Sequence, residues 1–210
     1  ENYPRWEAEG QWITANFWFG FDVTHSWMMG TENLLMAAVL AKHVTRIENA
    51  AKEPEIVDLC QFLNACGARI CGGDSGTIVI EGVPRLHGAC HRVMADRIEA
   101  ATYLAAAAIT GGDLTLTHCP ALPVSPVFAP LEQAGCTITA AGENLHITAP
   151  TRLRALGAIR TLPYPGFPTD AAAPLLAAAC LGEGTTVFVE NIFENRYRHV
   201  DELVRMGADV

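Results

Sequence analysis

An α/β fold made of a repeated unit, with apolar helices inside and sheets outside, is predicted by three observations. One helix exit occurs three times. Each exit lies downstream of an Ala-rich apolar helix, and the first two are followed by paired β-branched runs joined by turn residues. The exits are Leu63-x-x-x-Gly67 leading into Ala68-Arg69-Ile70, Leu131-x-x-x-Gly135 leading into Cys136-Thr137-Ile138, and Leu203-x-x-x-Gly207 leading into Ala208-Asp209-Val210. The glycines are 68 and 72 residues apart (67 to 135, 135 to 207). Gly is the residue best able to take the left-handed conformation that closes a helix, so a recurring Leu-x-x-x-Gly before a β run reads as one ancestral unit copied in tandem.

The elements follow in order. In the first copy, residues 34–41 form the Ala-rich helix, 44–48 a strand, and a second helix runs to Gly67. Residues 68–70 and 77–81 then make a hairpin across Gly72-Gly73-Asp74-Ser75-Gly76. In the second copy the helix is 100–109 and the strand 114–117. The Pro-rich residues 120–130 read as a turn followed by a helix start, and residues 137–139 pair with 145–148 across Ala141-Gly142-Glu143-Asn144. The third copy has its helix at 171–181, a strand at 186–190 and a second helix ending at Gly207. The Ala-rich helices are apolar around most of their circumference, which predicts burial. Units of about 70 residues are longer than solenoid repeats, so they are expected to assemble into one or two globules.

Composition excludes several classes. Half of the 210 residues are apolar, the mean hydropathy is +0.19 and the net charge is −9. Such a chain can bury a core, and its acidic balance argues against nonspecific nucleic-acid binding. The longest uncharged apolar stretches are shorter than the roughly 20 residues of a spanning helix. Seven cysteines, an odd number with no CxxC, predict mostly buried, reduced thiols in a cytoplasmic protein. The chain starts at Glu1 with no leader and stops where a strand is expected to begin, and it is expected to be a piece of something longer.

Chemistry is sought where polar residues introduce the Ala-rich helices: Gly30-Thr31-Glu32-Asn33, Ala95-Asp96-Arg97-Ile98-Glu99 and Phe167-Pro168-Thr169-Asp170. Capping accounts for all three, and a helix N-terminus that receives a phosphate or carboxylate is the functional alternative. Asp170 differs because Pro163, Pro165 and Pro168 stiffen the approach to it, fixing a carboxylate as a general base requires. Residues 190–199, Glu-Asn-Ile-Phe-Glu-Asn-Arg-Tyr-Arg-His, are the densest polar cluster. They read either as a solvated loop or as an anion clamp formed by Arg196 and Arg198. No metal site is expected: Cys90 and His91 are adjacent, and His87 and His91 fall in a region read as extended or loop. No GxSxG, P-loop or GxGxxG is present, which argues against a serine hydrolase, an NTPase or a dinucleotide enzyme.

Residues 30–41, 47–59 and 96–100, together with Pro163-Tyr164-Pro165-Gly166-Phe167-Pro168-Thr169-Asp170 and Ile192-Phe193-Glu194-Asn195-Arg196, resemble the UDP-N-acetylglucosamine enolpyruvyl (1-carboxyvinyl) transferase family. The similarity runs from Gly30 to Val210. It implies an inside-out α/β barrel, with residues 1–94 the latter part of one domain, 95–210 the earlier part of the other, and the active site in the cleft between them. It implies transfer of the enolpyruvyl group of phosphoenolpyruvate to the 3-hydroxyl of UDP-N-acetylglucosamine, the first committed step of peptidoglycan synthesis in cell wall biogenesis. Neither a metal nor an organic cofactor, nor a nucleic-acid or membrane partner, is implied.

By the same resemblance Asp170 is the base on the sugar hydroxyl and contacts the sugar, and Ile192 contacts UDP-N-acetylglucosamine. Arg196 and Arg97 hold anionic groups, and His25 and Ser26 contact the nucleotide. Thr24-His25-Ser26-Trp27-Met28-Met29-Gly30 stands where the family reads like Lys-Val-Ser-Val-Gly-Ala or Ser-His-Thr-Gly. The family's Lys-Asn pair, its Gly-rich loop with a catalytic Cys or Asp, and its late Arg are not found, so the 210 residues by themselves are expected to be inactive. The rivals are a shikimate-phosphate-type enolpyruvyl transferase and a noncatalytic sugar-nucleotide-binding or structural relative.

Overall fold

All three Leu-x-x-x-Gly exits are closed helix termini in the computed structural model, which describes residues 5–8, 11–14 and 28–210. The residue after each glycine donates its N–H to the leucine carbonyl: Ala68 to Leu63, Cys136 to Leu131 and Ala208 to Leu203, each at 3.0 Å. The glycines have φ of 96°, 105° and 98°, a conformation that a side chain would strain. The third exit follows a helix that buries none of its residues. The exit geometry is therefore set by the glycine and its local chain rather than by packing.

The chain divides into two compact units, Glu1–Met94 and Ala95–Val210. The first holds β1 (Arg5–Ala8), β2 (Gln11–Thr14), α1 (Met28–Ala38), β3 (Val44–Glu48), α2 (Pro54–Ala65), β4 (Arg69–Cys71) and β5 (Thr77–Glu81). Its strands form one antiparallel sheet in the order β2-β1-β3-β5-β4. Strand alternation directs Ile47, Ile70, Ile78 and Ile80 to one face, where they pack with Leu35 and Ile56 of the helices. Each such burial stabilises the fold by about 1.5–3 kcal/mol.

The second unit holds α3 (Arg97–Thr110), β6 (Asp113–Leu116), α4 (Ala121–Val124), a 3-10 turn (Ser125–Val127), α5 (Phe128–Gln133), β7 (Thr137–Ala141) and β8 (Asn144–Thr148). Then follow β9 (Ala158–Arg160), a second 3-10 turn (Thr169–Ala171), α6 (Ala172–Ala179), β10 (Val187–Val189) and α7 (Arg198–Arg205). Its antiparallel sheet runs β6-β8-β7, the same pairing as β3-β5-β4 in the first copy. The repeat thus extends from sequence to topology. β9 and β10 pair in parallel, Ala158 opposite Val187, with α6 in the crossover between them. The small side chains of α3 and α6 (Ala101, Ala105, Ala108, Ala172, Ala178) let the two helices pack together in the core, joined by Leu104 and Leu175.

Four expectations change. The Pro-rich residues 120–130 are helical for most of their length, in three short pieces that each carry a proline in the first turn. Those N–H groups have no intrahelical partner anyway, so proline is tolerated there. β9 was not foreseen. The first Ala-rich helix starts at Met28, ahead of the expected residue 34, so that Met28 and Met29 form its first turn. The Ala-rich helices are buried on one side only, because the described residues of this chain leave the other uncovered, with Met36 and Tyr103 both 50% exposed. Among the described residues no helix is long and apolar enough to cross a membrane, and no group of His, Cys, Asp or Glu is placed to hold a metal ion. All seven cysteines are unpaired. Four are buried, Cys180 is half-buried, and Cys71 and Cys90 are exposed. Burial pushes the Cys60 thiol up to about 11.

Candidate active site

The three polar helix entries do different work. Asp96 is a helix N-cap, its carboxylate accepting from the N–H groups of Ile98 (2.8 Å) and Glu99 (3.1 Å). Thr31 is not a cap. It lies inside α1, fully buried, and its hydroxyl accepts the Ala51 N–H (3.0 Å), joining α1 to the segment before α2. Thr169 caps nothing either; its hydroxyl points away from its own helix, to Glu190.

The proline run closes on itself. Leu162 donates to the Phe167 carbonyl (3.0 Å) and Gly166 to that of Pro163 (2.8 Å), and the Tyr164–Pro165 peptide is cis. This turn delivers Thr169, buried, and Asp170, exposed, at the start of the short 3-10 turn ahead of α6. From the other side the 190–196 loop brings in Arg196, whose Nη2 donates to Asp170 Oδ1 in a direct ion pair. The guanidinium lies over the Phe193 ring, 5.1 Å from its centroid. Arg97, at the first position of α3, is 7% exposed and sits 5.8 Å from the centre of the Tyr164 ring, so it adjoins the turn that bears Asp170. Ile192 is half-buried and donates its N–H to Glu190 Oε1 (2.7 Å).

The structure therefore brings Asp170 and Arg196 together, with Ile192 and Arg97 joined to the same two loops. His25 and Ser26 lie outside the described residues. His91 pairs with Asp58 (3.0 Å), and His87 Nδ1 lies 3.1 Å from the Gly88 carbonyl, so the two histidines have separate partners.

Glu190 is the residue that sequence reading passed over. Its Oε1 accepts from Thr161 Oγ1 (2.9 Å), Ile192 N (2.7 Å) and Phe193 N (3.1 Å), and its Oε2 accepts from Thr169 Oγ1 (2.8 Å). Burial by itself would raise this carboxyl; the four hydrogen bonds outweigh it and hold the group below its usual range. Burial and then the charge of Glu190 push the neighbouring Tyr197 phenol up. Because the Glu190 carboxyl is lower in the folded than in the unfolded chain, its contribution to stability is complete above the ordinary glutamate value, about 4.3. It is lost as pH falls through the lowered value. The urea midpoint of the wild type should drop more steeply than that of Glu190→Gln between pH about 5 and 3. Parallel curves would contradict this.

The chain is thus a fold of tandem α/β copies in which a carboxylate and a guanidinium meet on two buttressed loops. The family described as EPSP synthase (3-phosphoshikimate 1-carboxyvinyltransferase) matches residues 19–210, and the chain belongs to that family. Relatives named UDP-N-acetylglucosamine 1-carboxyvinyltransferase are 54% identical over 183 residues in Nitratidesulfovibrio vulgaris and 52% identical over 180 residues in Zymomonas mobilis. Each match covers 86% of this chain and 43% or 42% of the relative, so the chain spans less than half the length of the curated relatives it matches. The crystal structure of the enolpyruvyl transferase NikO from Streptomyces tendae aligns with a TM-score of 0.68 at 22% identity. It covers 84% of this chain and 42% of that one, and shows the shared fold.

Proposed function

We propose that the complete protein transfers the enolpyruvyl group of phosphoenolpyruvate to the 3-hydroxyl of UDP-N-acetylglucosamine in peptidoglycan synthesis, in the cytoplasm. The Asp170–Arg196 pair carries this reading. Asp170 takes the hydroxyl proton as the sugar oxygen bonds to the substituted carbon of the enol and the double-bond pair takes up a proton at the methylene carbon; loss of a proton from that methyl group then restores the double bond as the bond from the substituted carbon to the phosphate oxygen breaks. Arg196 and Arg97 hold anionic groups, and Ile192 contacts the nucleotide sugar. Two anionic substrates call for planar guanidinium groups, and the alcohol calls for a base within hydrogen-bond reach. In this reading Glu1–Met94 is the latter part of the first domain and Ala95–Val210 the earlier part of the second, and His25 and Ser26 touch the nucleotide. The curated relatives' shared name supports the sugar-nucleotide substrate over shikimate phosphate.

Calorimetric titration of the 210 residues with UDP-N-acetylglucosamine is expected to show weak binding, about tenfold weaker in Asp170→Ala, as loss of one charge-assisted hydrogen bond implies. No phosphate should be released from phosphoenolpyruvate. Binding of shikimate 3-phosphate in place of the nucleotide sugar would overturn the substrate assignment, and turnover by these residues alone would show that the catalytic set was misplaced.

A further inference from the structure

Asp170 can act as a base only if its carboxylate is held still. It sits in a three-residue 3-10 turn with no side-chain cap, and its own side chain is 54% exposed. The 3-10 turn is the first turn of the helix that continues as α6, and side-chain hydrogen bonds tie it to the 190–196 loop. Thr169, adjacent to Asp170 and only 8% exposed, sends its hydroxyl to Glu190 Oε2. The other oxygen of the same carboxylate gathers the Ile192 and Phe193 N–H groups and so shapes the loop that carries Arg196. Thr161, 1% exposed, completes the knot: its hydroxyl donates to Glu190 and accepts the Asn191 N–H at 2.9 Å, and its carbonyl receives Asn191 Nδ2 at 3.2 Å. Two loops 26 residues apart in sequence, which meet as Asp170 and Arg196, are thus both anchored to one carboxylate.

We propose that Glu190 and Thr169 are positioning residues for Asp170, the hydrogen bond between them setting where the Asp170 carboxylate meets the substrate hydroxyl. The inference rests on the reading of Asp170 as the base. An arginine side chain can follow a displaced carboxylate, but a bound alcohol cannot, and misplacement by about 1 Å costs on the order of a hundredfold in rate.

The test uses the complete protein that contains this chain, assayed by phosphate release, with melting temperatures as a check of folding. Thr169→Val keeps the shape and removes the hydroxyl; kcat should fall about 10- to 100-fold while KM for either substrate changes less than about threefold. Thr169→Ser, which restores the hydroxyl, should regain most of the loss. Should the valine variant fail to fold, Glu190→Gln keeps three acceptor contacts and replaces the oxygen facing Thr169 by an amide nitrogen, and kcat should fall about tenfold. A folded Thr169→Val with wild-type kcat, a serine variant as impaired as the valine, or an unimpaired Glu190→Gln overturns the positioning role. Loss of turnover in Asp170→Asn beside wild-type turnover in Thr169→Val sinks the positioning role alone. Full turnover in Asp170→Asn sinks the base reading itself.

Discussion

Asp170→Asn in the complete protein is expected to lower kcat by about 10²- to 10⁴-fold, the contribution of a positioned general base. The substitution is nearly isosteric. The amide oxygen can still accept from Arg196, but an amide cannot take the sugar proton. The ion pair it weakens is exposed on both sides, with Arg196 38% and Asp170 54% accessible. Exposed pairs contribute about 0–1 kcal/mol, so the melting temperature should hardly move. Phosphate release under saturating substrates, measured beside a melting curve, separates the two effects. A large drop in stability with turnover retained would make the pair a structural brace and remove the carboxylate from the chemistry.

What the sequence revealed follows from which interactions leave a local trace. The exits at Gly67, Gly135 and Gly207 were legible because a left-handed helix terminus is chosen within six residues, as α7 shows by closing without a core. The hairpins β4–β5 and β7–β8 were legible for a similar reason: turn residues sit between alternating runs in both. β9 left no such trace. It is three residues long, and its partner β10 is joined to it across a whole crossover. In the 120–130 segment the prolines signalled a break, when each in fact lies where a helix can accept it.

The site divides in the same way. Asp170 and Arg196 were each readable from their flanking motifs, and the expectation that they share one place agrees with their contact. Glu190 looked like one more charge in a polar cluster, because the partners that define it, Thr161 and Thr169, lie 29 and 21 residues away and follow no period. Thr31 misled in the opposite sense. A threonine ahead of an apolar helix resembles a cap, yet its hydroxyl serves a segment 20 residues on.

Gly82→Ala should be strongly damaging to the first unit. A Cβ at Gly82 would lie 1.7 Å from the Ala41 carbonyl oxygen, 2.8 Å from the Ala41 carbonyl carbon and 3.3 Å from the His43 oxygen. These are backbone atoms and cannot rotate aside as a side chain would. They are also held: Gly82 donates to the His43 carbonyl at 3.0 Å, and Val83 donates to the Val39 carbonyl at 2.9 Å, lacing the end of β5 to the segment between α1 and β3. Relief requires breaking that lacing, which disturbs β5 where Ile78 and Ile80 are fully buried. The expected cost is about 3 kcal/mol or more, a fall in melting temperature of about 10 °C or more. Gly88→Ala is the matched control, since nothing lies within 4 Å of its added methyl, and it should melt like the wild type. Equal melting of the two variants would mean that the chain between α1 and β5 yields far more readily than its hydrogen bonds imply.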